Sequence, residues 1–190
     1  VGGTVAGAKR SDGERESLSP MIAVTPEPAP VARAAKAPRR LDSSMIAIPV
    51  VGVTASQLRD TYDAPRGGGR IHHAMDILIE RGTPVVAAVD GVILKLYQSG
   101  PGGITIYLAD HEGDILYYYA HLDRYARGLA EGDLVDRGQV IGYVGSTGNA
   151  PADAPHLHFS IEHLPETGEW WKGEAINPFP ILVSRGYTVE

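Results

Sequence analysis

The chain has 190 residues, of which 43% are hydrophobic and 21% are charged, so it can form one domain with a buried core. The net charge is −6, and it is unevenly distributed: residues 1–44 carry seven basic and five acidic side chains, whereas residues 45–190 carry ten basic and eighteen acidic ones. This acidic balance excludes the basic footprint that nucleic acids require. There is no cysteine, so disulfides and cysteine-ligated zinc are excluded, and a metal would need His, Asp or Glu ligands.

Residues 1–44 differ in composition from the rest of the chain. They contain no aromatic residue and are rich in Ala, Pro, Gly, Ser and charge. Such a segment buries too little apolar surface to offset its ordering entropy, so we predict a flexible linker at 1–44 and a folded domain at 45–190. No apolar run reaches the roughly 18–20 residues of a membrane span. Because the chain starts at Val1, an upstream signal or membrane tether stays possible.

The folded part shows short apolar segments separated by Gly and Asp turns. We expect a first strand at 46–50, one or two helical turns within 55–62, and no longer helix. Further strands are expected at 84–97, broken by a hairpin turn at Asp90-Gly91, and then at 104–109, 115–121, 134–135, 139–145 and 155–159. This spacing indicates an all-β fold, in which antiparallel sheets form an open sandwich-like domain with short helical turns.

The last predicted strand carries two histidines, His156 and His158. Positions i and i+2 of a strand share a face, so both histidines are expected to look into one space. Leu157 and Phe159 should then point the other way.

Two further segments carry candidate site residues. His72 and Asp76 are four residues apart, which puts them on one face of either a strand or a helix. His121 ends a tyrosine-rich strand, where regular alternation puts it on the same face as Tyr117 and Tyr119.

These residues suggest a zinc site. A catalytic zinc ion commonly has three His, Asp or Glu ligands and a fourth, open position. His72, Asp76 and one of His156 and His158 supply such a set. His121 and the remaining histidine would be neutral imidazoles beside a metal-activated water, where they accept its proton or donate a hydrogen bond to an oxyanion.

Three motifs, in this order, resemble the lysostaphin-like (LytM-type) peptidoglycan metallo-endopeptidases. The motifs are His-x-x-x-Asp after Arg70, Tyr-x-His-Leu at 119–122 and His-Leu-His-Phe at 156–159. The resemblance covers roughly residues 48–180 and includes the glycine-punctuated stretch 131–148. It implies that His72, Asp76 and His158 bind one Zn²⁺ per chain and that His121 and His156 are the catalytic histidines.

The resemblance also implies a function. It implies a zinc-dependent endopeptidase that hydrolyses peptide crosslinks of bacterial peptidoglycan in the cell envelope, either in the periplasm or outside the cell. The chain departs from the family pattern at Ala74, where Gly is usual, and at Ser160, where Glu is frequent. Neither change removes a ligand. Arg70 or Tyr62 could add an oxyanion donor, although a surface or packing role fits each of them better.

Parts of the sequence also fit two other functions. Some proteins of the same fold have lost zinc ligands and act as activators of cell-wall amidases, whereas all the ligand positions are filled here. A biotinyl or lipoyl carrier domain is suggested by the stretch 131–145. Such a domain presents a lysine at a tight turn, whereas Lys95 lies inside a predicted strand.

Overall fold

The structure, a computed structural model, describes residues 1–2, 46–165 and 169–190. The predicted linker at 1–44 therefore lies outside the described residues, apart from its first two positions, and the domain boundary at residue 45 stays a prediction. None of the helices within the described ranges is both long and apolar enough to cross a membrane.

The described residues form antiparallel β-structure, which confirms the predicted fold class. The strands are β1 Pro65–Arg66, β2 Arg70–Ile71, β3 Met75–Leu78, β4 Pro84–Val86, β5 Gly91–Ser99, β6 Gly103–Asp110, β7 Ile115–Tyr125, β8 Leu134–Val135, β9 Val140–Val144, β10 His156–His163 and β11 Glu174–Ile176. Strands β1 and β2 pair with each other, and the other nine form one sheet in which β11, β10, β7, β6, β5 and β8 follow in this order. A short α-helix, α1, spans Pro178–Arg185, and 3₁₀ turns lie at Ala55–Gln57, Gly67–Gly69 and Trp170–Lys172.

One hydrophobic cluster holds these elements together. Leu157 and Phe159 of β10 are fully buried in it, together with Tyr119 of β7. Burial of side chains of this size contributes about 1.5–3 kcal/mol each. Because side chains alternate along a strand, the opposite face of β10 stays free to form a site.

The segment 46–50 is buried against this cluster but is not a strand of the sheet. It makes only isolated bridges, from Ala47 to Tyr187 and from Val50 to Val85. The predicted first strand is therefore wrong as a sheet member, although its apolar residues do reach the core.

The predicted hairpin at Asp90-Gly91 is also wrong. Strand β4 pairs with β9, whereas β5 starts at Gly91 and pairs with β6 and β8. Strands β5 and β6 approach each other closely at Gly91, where a Cβ would lie 2.1 Å from the carbonyl oxygen of Ala109. The side chain of Asp90 accepts a hydrogen bond from the backbone N–H of Arg137 at 2.8 Å. Asp90 therefore binds the segment around Arg137.

Helix α1 was not predicted, because eight residues are too few to display a helical period. Its start has a local signal. The side chain of Asn177 accepts a hydrogen bond from the backbone N–H of Phe179 at 2.9 Å, and Pro178 occupies the first helical position.

The loop between β9 and β10 depends on Gly148. Its φ is +73°, and a Cβ there would lie 2.3 Å from the carbonyl oxygen of Pro101. The neighbouring Thr147 carbonyl accepts a hydrogen bond from Nδ1 of His121 at 2.8 Å. The missing side chain of Gly148 therefore lets the loop reach His121.

We expect Gly148→Ala to lower the free energy of unfolding by about 3 kcal/mol, because the methyl group meets backbone atoms and φ is left-handed. Gly113→Ala is the matched control, since Gly113 has φ +68° but nothing within 4 Å of its Cβ. The control should lose only about 1–2 kcal/mol. Urea denaturation measures both values, and equal losses would contradict the role of the close approach.

Candidate metal centre

Asp76 and His158 meet as partners on neighbouring strands. Strand β3 pairs antiparallel with β10 in a register that sets Asp76 opposite His158. Met75 and Ile77 are buried on one face of β3, so Asp76 points to the other face. Its Oδ1 lies 3.2 Å from Nδ1 of His158. The sheet register alone therefore brings these two groups together.

His72 joins this pair from the segment just before β3. The next residue, His73, has a left-handed φ of +53°, which turns the chain between His72 and Asp76. Nε2 of His72 lies 3.0 Å from Oδ1 of Asp76 and 2.9 Å from Nδ1 of His158. The predicted closeness of His72 and Asp76 is thus reached through a turn, in neither a regular strand nor a helix.

The donor set has the chemistry of a metal site. Nδ1 of His72 donates to the carbonyl oxygen of Thr61 at 2.8 Å, so Nε2 carries a lone pair. Three ligand atoms of His72, Asp76 and His158 lie close together, and they form the candidate metal group of the described residues. Ligands of a tetrahedral zinc ion lie roughly 3.3 Å from one another, close to the observed separations. These residues therefore fit zinc.

The Asp76 carboxylate is held in its ionised form. Burial by itself would raise its pKa, but the close contacts with His158 and His72 and the hydrogen bond from Arg66 outweigh burial and hold the pKa well below the usual range. Arg66, on β1, forms an ion pair with Oδ2, the oxygen that faces away from His72. The backbone N–H of Asp76 donates to the hydroxyl of Thr61 at 3.0 Å. Thr61 thus supports both His72 and Asp76.

His121 and His156 lie next to each other beside this group. Their ring centroids are 4.9 Å apart. Nδ1 of His121 donates to the carbonyl of Thr147, and Nδ1 of His156 donates to the carbonyl of Ala154, each at 2.8 Å. Nε2 of each ring is therefore the free nitrogen. Burial lowers the pKa of His121 to about 4, so this imidazole is neutral near pH 7.

The predicted face of His121 is wrong. Tyr117 and Tyr119 are buried in the core, whereas His121 lines the groove together with Tyr118. The reason is an extra residue in β7, because the pairing with β6 shifts register here and His121 has φ +60°. Such a bulge moves the following side chain to the opposite face. A left-handed histidine beside a site is a form of stored backbone strain.

A groove of about 550 Å³ opens above these histidines. Arg70 lines it, whereas the hydroxyl of Tyr62 donates to the carbonyl of Ala175 at 3.0 Å outside it. A surface or packing role was expected for both residues, and Arg70 is the one of the two that lines the groove.

The two departures from the family pattern are accommodated. Ala74 is buried and has no positive φ, so no glycine is needed there. Ser160 is buried and its hydroxyl donates to Glu162 at 2.8 Å. Sequence reasoning missed Thr61 and Arg66, which belong to no motif, and Thr147, which lies in the stretch 131–148 but has no chemistry there that marks it.

Two histidines and a carboxylate that converge on one point, with two further imidazoles beside them, form the arrangement of a metal-dependent hydrolase. Residues 70–178 match the model of Peptidase family M23. The chain belongs to this family.

Known proteins of similar sequence and structure agree with this membership. The L-Ala–D-Glu endopeptidase of Bacillus subtilis is 34% identical over 154 residues, which are 77% of this chain and 46% of that protein. The glycyl-glycine endopeptidase ALE-1 of Staphylococcus capitis is 37% identical over 127 residues, 66% of this chain and 33% of that protein. The chain thus spans less than half the length of either relative. The catalytic domain of lysostaphin from Staphylococcus simulans superimposes with a TM-score of 0.56 at 33% identity, covering 67% of this chain and 94% of that domain.

The lowered pKa of His121 predicts a pH dependence of stability. The folded state binds a proton at His121 less readily than the unfolded state, so stability is full above about pH 6.5 and falls as pH drops toward 4. In metal-free protein we expect His121 to lower the free energy of unfolding by about 2 kcal/mol over this pH range. This value already allows for screening by water in the groove.

The comparison is with His121→Asn, whose amide can keep the hydrogen bond to Thr147. Unfolding free energies of both proteins, measured in urea with a chelator from pH 7 to pH 4, should diverge by this amount. Parallel curves would show that His121 does not titrate as proposed.

Proposed function

We propose that this chain is a zinc-dependent endopeptidase that hydrolyses peptide crosslinks of bacterial peptidoglycan in the cell envelope. The proposal is carried by the convergence of His72, Asp76 and His158 beside the adjacent rings of His121 and His156. The similarity to endopeptidases named for L-Ala–D-Glu and glycyl-glycine bonds supports a wall peptide as the substrate.

In this proposal His72, Asp76 and His158 bind one zinc ion per chain. When bound, zinc polarises the scissile carbonyl and lowers the pKa of water to about 7. The ion pair with Arg66 keeps one carboxylate oxygen of Asp76 turned away from His72 and His158. The groove walls hold the peptide across this point.

His121 and His156 handle the protons. Each has its Nδ1 bonded to a backbone carbonyl, so each presents Nε2 as a base. One of them takes the proton of the attacking water and, once charged, donates it to the oxyanion or to the leaving amine. The other histidine stabilises the positive charge of this ring, because its Nε2 lone pair can accept a hydrogen bond. Burial raises the pKa of Tyr118 to about 12, so its hydroxyl, at the same groove, stays a donor.

The two other interpretations have less support. An amidase activator without catalysis is marked by loss of ligand residues, whereas the three candidate ligands converge here. A carrier domain needs a lysine at a tight turn. Lys95 instead lies within β5 and forms an ion pair with Glu131 at 3.0 Å.

The two histidines of β10 should separate in experiment. We expect His158→Ala to lose both zinc and activity, whereas His156→Ala should keep about one zinc per chain and lose activity by a factor of about 100 or more. Metal analysis and peptidoglycan cleavage measure the two effects. His163→Ala is the control, because His163 is exposed at the end of the same strand. Loss of zinc from His156→Ala with retention in His158→Ala would reverse the assignment.

The function itself is tested by incubating the zinc-loaded chain with purified peptidoglycan and identifying the products by mass spectrometry. We expect new peptide termini that disappear with a chelator and return with zinc. Termini at Gly–Gly, L-Ala–D-Glu or D-Ala–diaminopimelate bonds would name the bond. Intact peptidoglycan after incubation with protein containing one zinc per chain would contradict the proposal.

A further inference from the structure

A second cavity of about 590 Å³ lies beside the metal centre. It shares His72, Tyr118 and His158 with the first groove, so the metal centre stands between the two spaces. A peptide bound across the centre therefore extends into the second cavity on one side. Its far wall includes Glu162. This residue has no role in the proposed hydrolysis.

Strand β10 connects the metal centre to this wall. Leu157, Phe159 and Ile161 are buried, and alternation places His156, His158, Ser160 and Glu162 together on the other face. At about 3.3 Å per residue, Glu162 lies roughly 13 Å along the strand from His158. An extended peptide with a long side chain covers this distance within two to three residues.

The Glu162 side chain is positioned by the fold. The Ser160 hydroxyl donates to its Oε1 at 2.8 Å. A Cβ at Gly173 would lie 2.6 Å from its Oε2, so the missing side chain at Gly173 makes room for the carboxylate. Ser160, the departure from the family pattern, thus supports a carboxylate two residues further along the same face.

The negative charge of the Glu162 carboxylate favours the binding of a cationic group. Burial raises the pKa of Glu162, which reflects the cost of placing a negative charge there. Among the described residues that line the second cavity, none is Lys or Arg. The first groove, by contrast, is lined by Arg66 and Arg70. Arg66 is paired with Asp76. The difference in charge therefore rests on Arg70 in the first groove and on Glu162 and Glu174 in the second cavity.

We propose that Glu162 is a specificity-determining residue that binds an ammonium group of the peptide substrate, two to three residues from the scissile bond. This inference rests on the proposed function and adds the class of substrate, a peptide with a free amine. The amine is either the side chain of a diamino acid at this position or an amino terminus about four residues from the scissile bond, and both present the same cation.

The probe is the stem tetrapeptide L-Ala–D-Glu–L-Lys–D-Ala in four forms: unmodified, acetylated at the amino terminus, acetylated at the lysine side chain, and acetylated at both. Calorimetry measures the Kd of each form for the zinc-loaded full chain, and mass spectrometry of the same samples checks that the peptide stays intact. For wild type we expect acetylation of the recognised amine to weaken binding about tenfold. The form that loses affinity identifies which amine is bound.

Glu162→Gln keeps the size of the side chain and an acceptor for Ser160. We expect this variant to bind the unmodified peptide about tenfold more weakly than wild type and to be insensitive to acetylation. Glu80→Gln is the control, since Glu80 is exposed and lies outside both cavities, and it should behave as wild type.

The inference is overturned if wild type binds all four forms equally, if it binds none of them, or if Glu162→Gln stays as sensitive to acetylation as wild type. A chain that cleaves peptidoglycan but shows equal binding would overturn only this inference. A chain that discriminates the amine but leaves peptidoglycan intact would contradict the proposed reaction instead.

Discussion

The antiparallel pairing of β3 with β10 is the constraint on which the site depends. It sets Asp76 opposite His158, while Met75 and Phe159, which also face each other, belong to the core. A shift of one residue in this register would turn the ligands into the core and the core residues into water. The burial that stabilises the sheet therefore also fixes the geometry of the site.

Backbone carbonyls fix the orientation of three of the site histidines. The carbonyls of Thr61, Thr147 and Ala154 each accept a hydrogen bond from Nδ1 of a site histidine. These bonds set both the tautomer and the ring orientation, and they leave Nε2 directed at the groove. His158 differs, because it approaches Asp76 and His72 through Nδ1. The two histidines of β10 are thus alike in sequence pattern but unlike in the nitrogen that they present.

Much of this could be predicted from local patterns, and the failures share a cause. Alternation along β10 correctly separated His156 and His158 from Leu157 and Phe159. It failed at His121, because a bulge in β7 depends on pairing with β6 and leaves no local signal. The prediction of a hairpin at Asp90-Gly91 was wrong for a related reason. Gly91 is needed for the close approach to Ala109 of β6, which is distant in sequence. Thr61, Arg66 and Glu162 gain their roles only from tertiary contacts.

We propose that one zinc ion binds between His72, Asp76 and His158, while His121 and His156 stay free of it. Anomalous diffraction at the zinc absorption edge, from crystals of the zinc-loaded chain, tests this claim most directly. We predict a single peak bounded by Nε2 of His72, a carboxylate oxygen of Asp76 and Nδ1 of His158. A peak bound by His121 or His156 in place of His158, or the absence of a peak at this point, would contradict the account.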